Sequence, residues 1–145
     1  MGALIHTDAL TLDIYGFSAT VVNGDYTGTA FKLSDKMWQA VKTSSLKNKG
    51  KNIWVYDKNN EVFAGVELEE APKGDAVLEH KLIVLTKYAY FKHIGSYKFL
   101  PTVGQNISVE IKSQGFEKGF PYIEIYGHWT NDETKLETEL LFNLK

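Results

Sequence analysis

Glu124 stands between two tyrosines in the run Pro121-Tyr-Ile-Glu-Ile-Tyr126, and these residues carry the most specific chemistry in the chain. Successive side chains of a strand point to opposite faces, so Tyr122, Glu124 and Tyr126 share one face and Ile123 and Ile125 the other. The isoleucine face reads as a core contact. The opposite face sets an acid among aromatic rings, which suits a flat or greasy cation. A carboxylate held away from water is costly unless paired, and each ring face adds cation–π attraction of about 0.5–2 kcal/mol. The plain alternative is an outer face in solvent, where one Glu and two Tyr need no explanation.

Other aromatic pairs extend the set. Tyr88 and Tyr90 alternate together on one predicted strand and are expected to line an adjoining wall. Trp54 and Tyr56 do the same on another, with Ile53 and Val55 expected to face a helix. A one-residue slip in register would exchange wall for core at these four positions. Trp129, in the loop after Tyr126, is either a lid or surface.

Other chemistries find little support. His93 precedes a glycine turn, and no Ser or Cys nucleophile is placed beside it by any motif, so a structural role is expected. His6, His80 and His128 lack zinc spacing, and no metal or cofactor is expected. Gly24, Gly28 and Gly65 do not make a phosphate loop. The chain has 145 residues, enough for one domain, and 43% hydrophobic and 23% charged residues, ordinary for a globular protein. A net charge of −2 gives no basic excess for nucleic acid, and the lysines at 47, 49 and 51 read as a solvated loop. The absence of cysteine excludes disulfides and thiolate sites. With no leader-like or membrane-length apolar segment, the expected location is the cytoplasm.

The elements that would position these residues follow from periodicity. Tyr15-Gly-Phe-Ser-Ala-Thr-Val-Val22 reads as a strand, residues 23–30 as a loop, and Leu33, Met37 and Val41 as one stripe of a helix capped by Ser34. Asn52-Ile-Trp-Val-Tyr56, the turn at residues 57–60, and residues 62–68 form a hairpin. Residues 69–76 are the best linker. Residues 82–93 then read as one long strand, residues 101–114 as a helix closed by Gly115, and residues 120–127 and 136–144 as a second hairpin. The order strand-helix-strand-strand thus occurs twice, in pseudo-repeats of about residues 12–69 and 80–145. This predicts an α+β domain with helices on one face of the sheets and a ligand cleft where the opposite faces curve together.

Three stretches carry a family resemblance. Lys87-Tyr-Ala-Tyr-Phe-Lys-His-Ile-Gly-Ser-Tyr97 resembles the strand and His-x-Gly-x-Tyr turn of the GyrI-like small-molecule-binding family. Pro121-Tyr-Ile-Glu-Ile-Tyr126 resembles its Glu-x-Tyr strand, and Leu136-Glu-Thr-Glu-Leu-Leu-Phe-Asn-Leu-Lys145 its closing Thr-Glu strand. The likeness runs from about Leu12 to Lys145. One departure is Phe142-Asn-Leu144, where the family more often has a proline before its final valine-lysine, which leaves the edge geometry open.

That resemblance implies paired strand-helix-strand-strand units with a pocket between them, as in effector-binding domains of multidrug-responsive regulators. The family's pocket glutamate corresponds to Glu124, its Thr-Glu acid to Glu139, and its turn tyrosine to Tyr97. A first strand within about fifteen residues of Met1 suggests the free-standing form, similar to the integron-cassette modules that bind cationic drugs. The implied role is a sensor or sequestering module for lipophilic organic cations, monomeric or weakly dimeric, with affinity near micromolar, about −8 kcal/mol. Two alternatives accompany it: hydrolysis of cyclopropane-containing toxins with Glu124 as base, and inhibition of gyrase through a protein surface.

Overall fold

The first helix starts about two turns before Leu33, the first residue of its apolar stripe. The computed structural model of the chain describes residues 2–72 and 77–145. In it α1 spans Tyr26–Thr43 and is capped by Asp25, whose carboxylate accepts from the Gly28 N–H at 3.0 Å. The loop expected over residues 23–30 therefore shrinks to its first three residues, where Asn23 and Gly24 take positive φ. Ser34 is not the cap. It lies buried inside the helix, facing the sheet. Ala30, Leu33, Met37 and Val41 are buried beside it at the three- and four-residue spacing of one helix face.

Eight strands form one antiparallel sheet: β1 (Leu4–His6), β2 (Leu10–Thr20), β3 (Asn52–Asp57), β4 (Glu61–Val66), β5 (Glu79–Leu85), β6 (Tyr88–Ile94), β7 (Lys118–Tyr126) and β8 (Glu137–Leu144). Their order across the sheet is β1-β6-β8-β7-β3-β4-β2-β5. The second helix, α2 (Leu100–Ser113), begins with Leu100-Pro101 and is followed by Gly115 at φ 84. Ile107 and Ile111 bury its apolar face. The β8 strand pairs along its length despite the missing proline, and the irregularity falls in β7, between Lys118 and Tyr122. The linker read over residues 69–76 includes positions 73–76, which lie outside the described residues.

The long strand expected over residues 82–93 is two strands, bent at Thr86 and Lys87, and the bend moves the chain from one rim of the sheet to the other. On the far side of the ladder, β1 and β2 are separated by only residues 7–9. The pairs Leu4↔Tyr90, Ile5↔Ala89 and His6↔Tyr88 resume as Leu10↔Leu85 and Thr11↔Val84, one residue out of step. The two rims are therefore successive parts of one bent ladder, and the sheet rolls up.

Rolling buries the inner face. Ile14, Ile53, Val55, Ile83, Leu85, Ile123 and Leu141, from β2, β3, β5, β7 and β8, pack into one apolar plug. This corrects two expectations. Ile53 and Val55 face the plug and not a helix, and the inner face is filled and holds no cleft. Both helices lie on the outer face. There α1 packs Met37 and Val41 against Trp54, Ala64 and Val66, and α2 packs Ile107 and Ile111 against Ala89, Leu140 and Phe142. Met37 and Ile107 are 70 positions apart, as are Val41 and Ile111, and the same interval separates Trp54 on β3 from Glu124 directly opposite it on β7.

Candidate functional site

The middle of the outer face, between the helices, is a cavity of about 1450 Å³. Its floor is β3 and β7. Alternation puts Asn52, Trp54 and Tyr56 on this side of β3, and Tyr122, Glu124 and Tyr126 on this side of β7. The register sets Asn52 opposite Tyr126, Trp54 opposite Glu124, and Tyr56 opposite Tyr122. Phe31 and Trp38 of α1 form one wall, Pro101, Gly104 and Val109 of α2 the other, and Tyr97 and Trp129 close one end.

Three tyrosine hydroxyls converge on the half-buried Glu124. Tyr126 donates to Oε1 at 2.8 Å, Tyr56 to Oε1 at 3.2 Å, and Tyr122 to Oε2 at 2.8 Å. A carboxylate offers about four lone-pair sites, so one, on Oε2, is left for another partner. Among the described residues no lysine pairs with it. Burial pushes the pKa of Tyr56, Tyr122 and Tyr126 far above the ordinary tyrosine value, and the charge of Glu124 and the hydrogen bond to it push further. These hydroxyls are fixed donors across the whole working range. Burial also raises Tyr97.

The rings around this network touch one another. Tyr56 stacks on Tyr122 at 5.7 Å, Tyr97 meets Tyr126 edge-on at 5.3 Å, and Phe31 meets Trp54 edge-on at 5.0 Å. Such contacts are worth about 0.5–1.5 kcal/mol beyond the area they bury. Trp54 is buried with its indole N–H unpartnered among the described residues. Trp129 stands 72% exposed at the rim. The cavity thus offers π-faces on several sides and one anionic oxygen below.

Seven of the ten residues singled out from sequence line this cavity: Glu124, Tyr122, Tyr126, Trp54, Tyr56, Tyr97 and Trp129. Three do not. Tyr88 and Tyr90 pair opposite Asn143 and Leu141, and so point to the inner face. There Tyr88 is buried and stacked on His6 at 5.0 Å. Glu139 is paired with Ile125 on the same inner side. It accepts the Tyr90 hydroxyl at 2.7 Å and lies 3.7 Å from Lys51 Nζ, so it serves as a partner for a tyrosine, away from the cavity. The bend at Thr86 and Lys87 sets this phase, and Ala89 and Phe91 face α2 in place of the tyrosines.

Cavity residues not singled out from sequence as site candidates include Phe31, Trp38, Asn52, Phe120 and Phe142. Asn52 shares the parity of Trp54, so alternation alone could have found it, whereas Phe120 lies in the irregular stretch of β7 between Lys118 and Tyr122. Phe31 lay on a stretch whose helix began later than it should have. Among the described residues no group of three or more His, Asp or Glu is placed to hold a metal, and no helix is long and apolar enough to cross a membrane.

A rolled antiparallel sheet with two helices on its outer face is the GyrI-like fold. The C-terminal domain of EcmrR superposes with a TM-score of 0.75 at 17% identity, covering 100% of this chain and 99% of that one. SAV2435, in a structure bound to tetraphenylphosphonium, gives 0.66 at 19% identity, covering 100% and 94%. The integron cassette protein VCH_CASS2 of Vibrio cholerae gives 0.54 at 14% identity, covering 99% and 96%. No family model matches the sequence, and a search of curated proteins finds no match. At such identities the likeness establishes the fold, and function rests on the site.

Proposed function

We propose that this protein binds lipophilic organic cations in the cavity between its helices, as a sensing or sequestering module. The observation that carries the reading is the Glu124 carboxylate, held by three tyrosine hydroxyls on the floor of a cavity walled by rings. Three donors position the charge and partly compensate its burial, yet neutral hydroxyls do not cancel it. An incoming cation supplies the missing countercharge. Aromatic faces add cation–π attraction, and apolar area contributes about 25 cal/mol per Å² whatever the ligand's outline. Pockets for drug-sized molecules run to about 300–1,000 Å³, so the volume here admits ligands of several sizes. Bulk and charge are selected, and detailed shape is not.

The fold neighbour bound to tetraphenylphosphonium supports this choice of ligand class. A hydrolytic role is less well served. A base needs a free lone pair aimed at a proton, and three of the four on Glu124 are already occupied. Protein surface for a gyrase partner is not marked by any feature of the site.

The test is a titration of tetraphenylphosphonium followed by tryptophan fluorescence, since Trp54 lies across from Glu124. Saturation at micromolar concentration is expected. A flat signal through several hundred micromolar, with the protein folded, would refute the reading.

A further inference from the structure

The cavity floor carries a second polar group whose orientation is fixed from behind. Asn52 lines the cavity at the head of β3. Its Oδ1 accepts two hydrogen bonds from α1, one from Trp38 Nε1 at 2.5 Å and one from Ser34 Oγ at 3.1 Å. An indole N–H only donates, so the amide oxygen must face the helix and the NH₂ must turn away from it. Among the described residues no group accepts from that NH₂, and it is not among the buried atoms left unpaired. It is accessible, on a residue that lines the cavity.

Position gives this donor a meaning. Asn52 pairs with Tyr126 across β3 and β7, which makes it the diagonal neighbour of Glu124 on the same face. The backbones of such diagonal positions lie about 7–8 Å apart. The floor therefore presents an anionic acceptor and, one diagonal step away, a neutral donor. Ser34, itself buried, gives up apolar packing at the helix–sheet contact to hold that donor.

We propose that Asn52 is a second recognition group, and that the ligands this site favours are organic cations bearing a hydrogen-bond acceptor, such as a ketone or ether oxygen, set apart from the positive centre by an apolar spacer. This narrows the cation-binding reading and rests on it. Glu124 takes the charged centre and the Asn52 NH₂ takes the acceptor, while the rings between them cover the connecting hydrocarbon. A cation without the acceptor still binds, but leaves the amide hydrogens facing hydrocarbon.

Two matched probes test this by calorimetric titration: 4-acetylbenzyl-triphenylphosphonium, whose ketone oxygen is set apart from the phosphonium by a benzyl ring, and 4-isopropylbenzyl-triphenylphosphonium, which has the same outline without it. The acetyl compound is expected to bind the wild-type protein about three- to tenfold more tightly, the range of one net hydrogen bond. Asn52→Asp keeps an oxygen for Trp38 and Ser34 but replaces the donor with an acceptor, and is expected to abolish or invert that ratio. The ratio discriminates, because a fold disturbance weakens both compounds alike. Equal binding of the two by the wild type overturns the proposal, as does a preference that survives Asn52→Asp. If the wild type binds both equally and Glu124→Gln weakens both, the second recognition group fails and cation binding stands. If neither binds, both readings fail.

Discussion

Replacing Glu124 with Gln removes a charge and almost nothing else, which makes it the sharpest perturbation of this site. Two tyrosine hydroxyls point at Oε1 and one at Oε2. An amide with its oxygen in the Oε1 position keeps Tyr56 and Tyr126 as donors, and the Tyr122 hydroxyl turns to accept from the new NH₂. The number of hydrogen bonds is conserved, so unfolding free energy should change by no more than about 1 kcal/mol. Binding should change more. Opposite unit charges 4 Å apart interact by about 4 kcal/mol at an effective dielectric of 20. Glu124 is half-buried and the cavity admits water, so about half of that survives screening. A loss of about 2 kcal/mol corresponds to roughly thirtyfold weaker binding. Tetraphenylphosphonium titrated against tryptophan fluorescence measures it, with neutral triphenylmethane, which carries no hydrogen-bond acceptor, as the control whose affinity should stay within about threefold. A cation affinity that also stays within threefold in a folded Glu124→Gln protein would show that the carboxylate does not see the ligand's charge, and the reasoning would fail.

Further expectations concern the same network and the frame beneath it. Tyr56, Tyr122 and Tyr126 hold their protons more tightly when folded than the 10.0 of free tyrosine. Their contribution to stability is therefore complete below about pH 10 and is lost as pH rises beyond it; absorbance at 295 nm should show at least three of the eight tyrosines ionising only with unfolding, and ionisation of all eight near pH 10 in a folded protein would contradict this. Gly16→Ala should destabilise by well over 1 kcal/mol in urea, because a Cβ there would meet the Ala64 carbonyl oxygen of the paired strand. Gly104→Ala, with open space around its Cβ in α2, should stabilise by about 0.5–1 kcal/mol. Asp25→Ala should cost about 1 kcal/mol through the lost cap on α1; no change in the urea midpoint would count against the early helix start.

Alternation in the Pro121–Tyr126 segment was enough to place Glu124 with its two neighbouring tyrosines on one face, because β7 keeps a regular ladder from Tyr122 onwards. The third hydroxyl, from Tyr56, was beyond local reasoning as a bond. Tyr56 lies 68 positions from Glu124 and meets it only because β3 and β7 become neighbours. Tyr88 and Tyr90 show the complementary limit. Periodicity says which residues travel together, whereas the face they take depends on where the strand bends and which partner it meets. The helix α2 was legible from Val103, Ile107 and Ile111, although Ile107-Ser-Val-Glu-Ile111 also alternates like a strand. The onset of α1 was not, since Gly24, Gly28 and two threonines mask a helix whose signal is one aspartate, Asp25. Ser34 was noticed for the wrong reason: it fixes Asn52 and caps nothing.

The bent ladder that joins both rims of the sheet has a mechanical consequence. It curls the strands into a hoop around the apolar plug, and β3 and β7, paired in the middle of the sheet, keep their spacing through that ladder. The helices are not part of that hoop, and α2 is seated through only three buried side chains, Leu100, Ile107 and Ile111. On the proposed reading, guests of different girth are accommodated by yielding from above, while the spacing of the polar groups underneath stays constant.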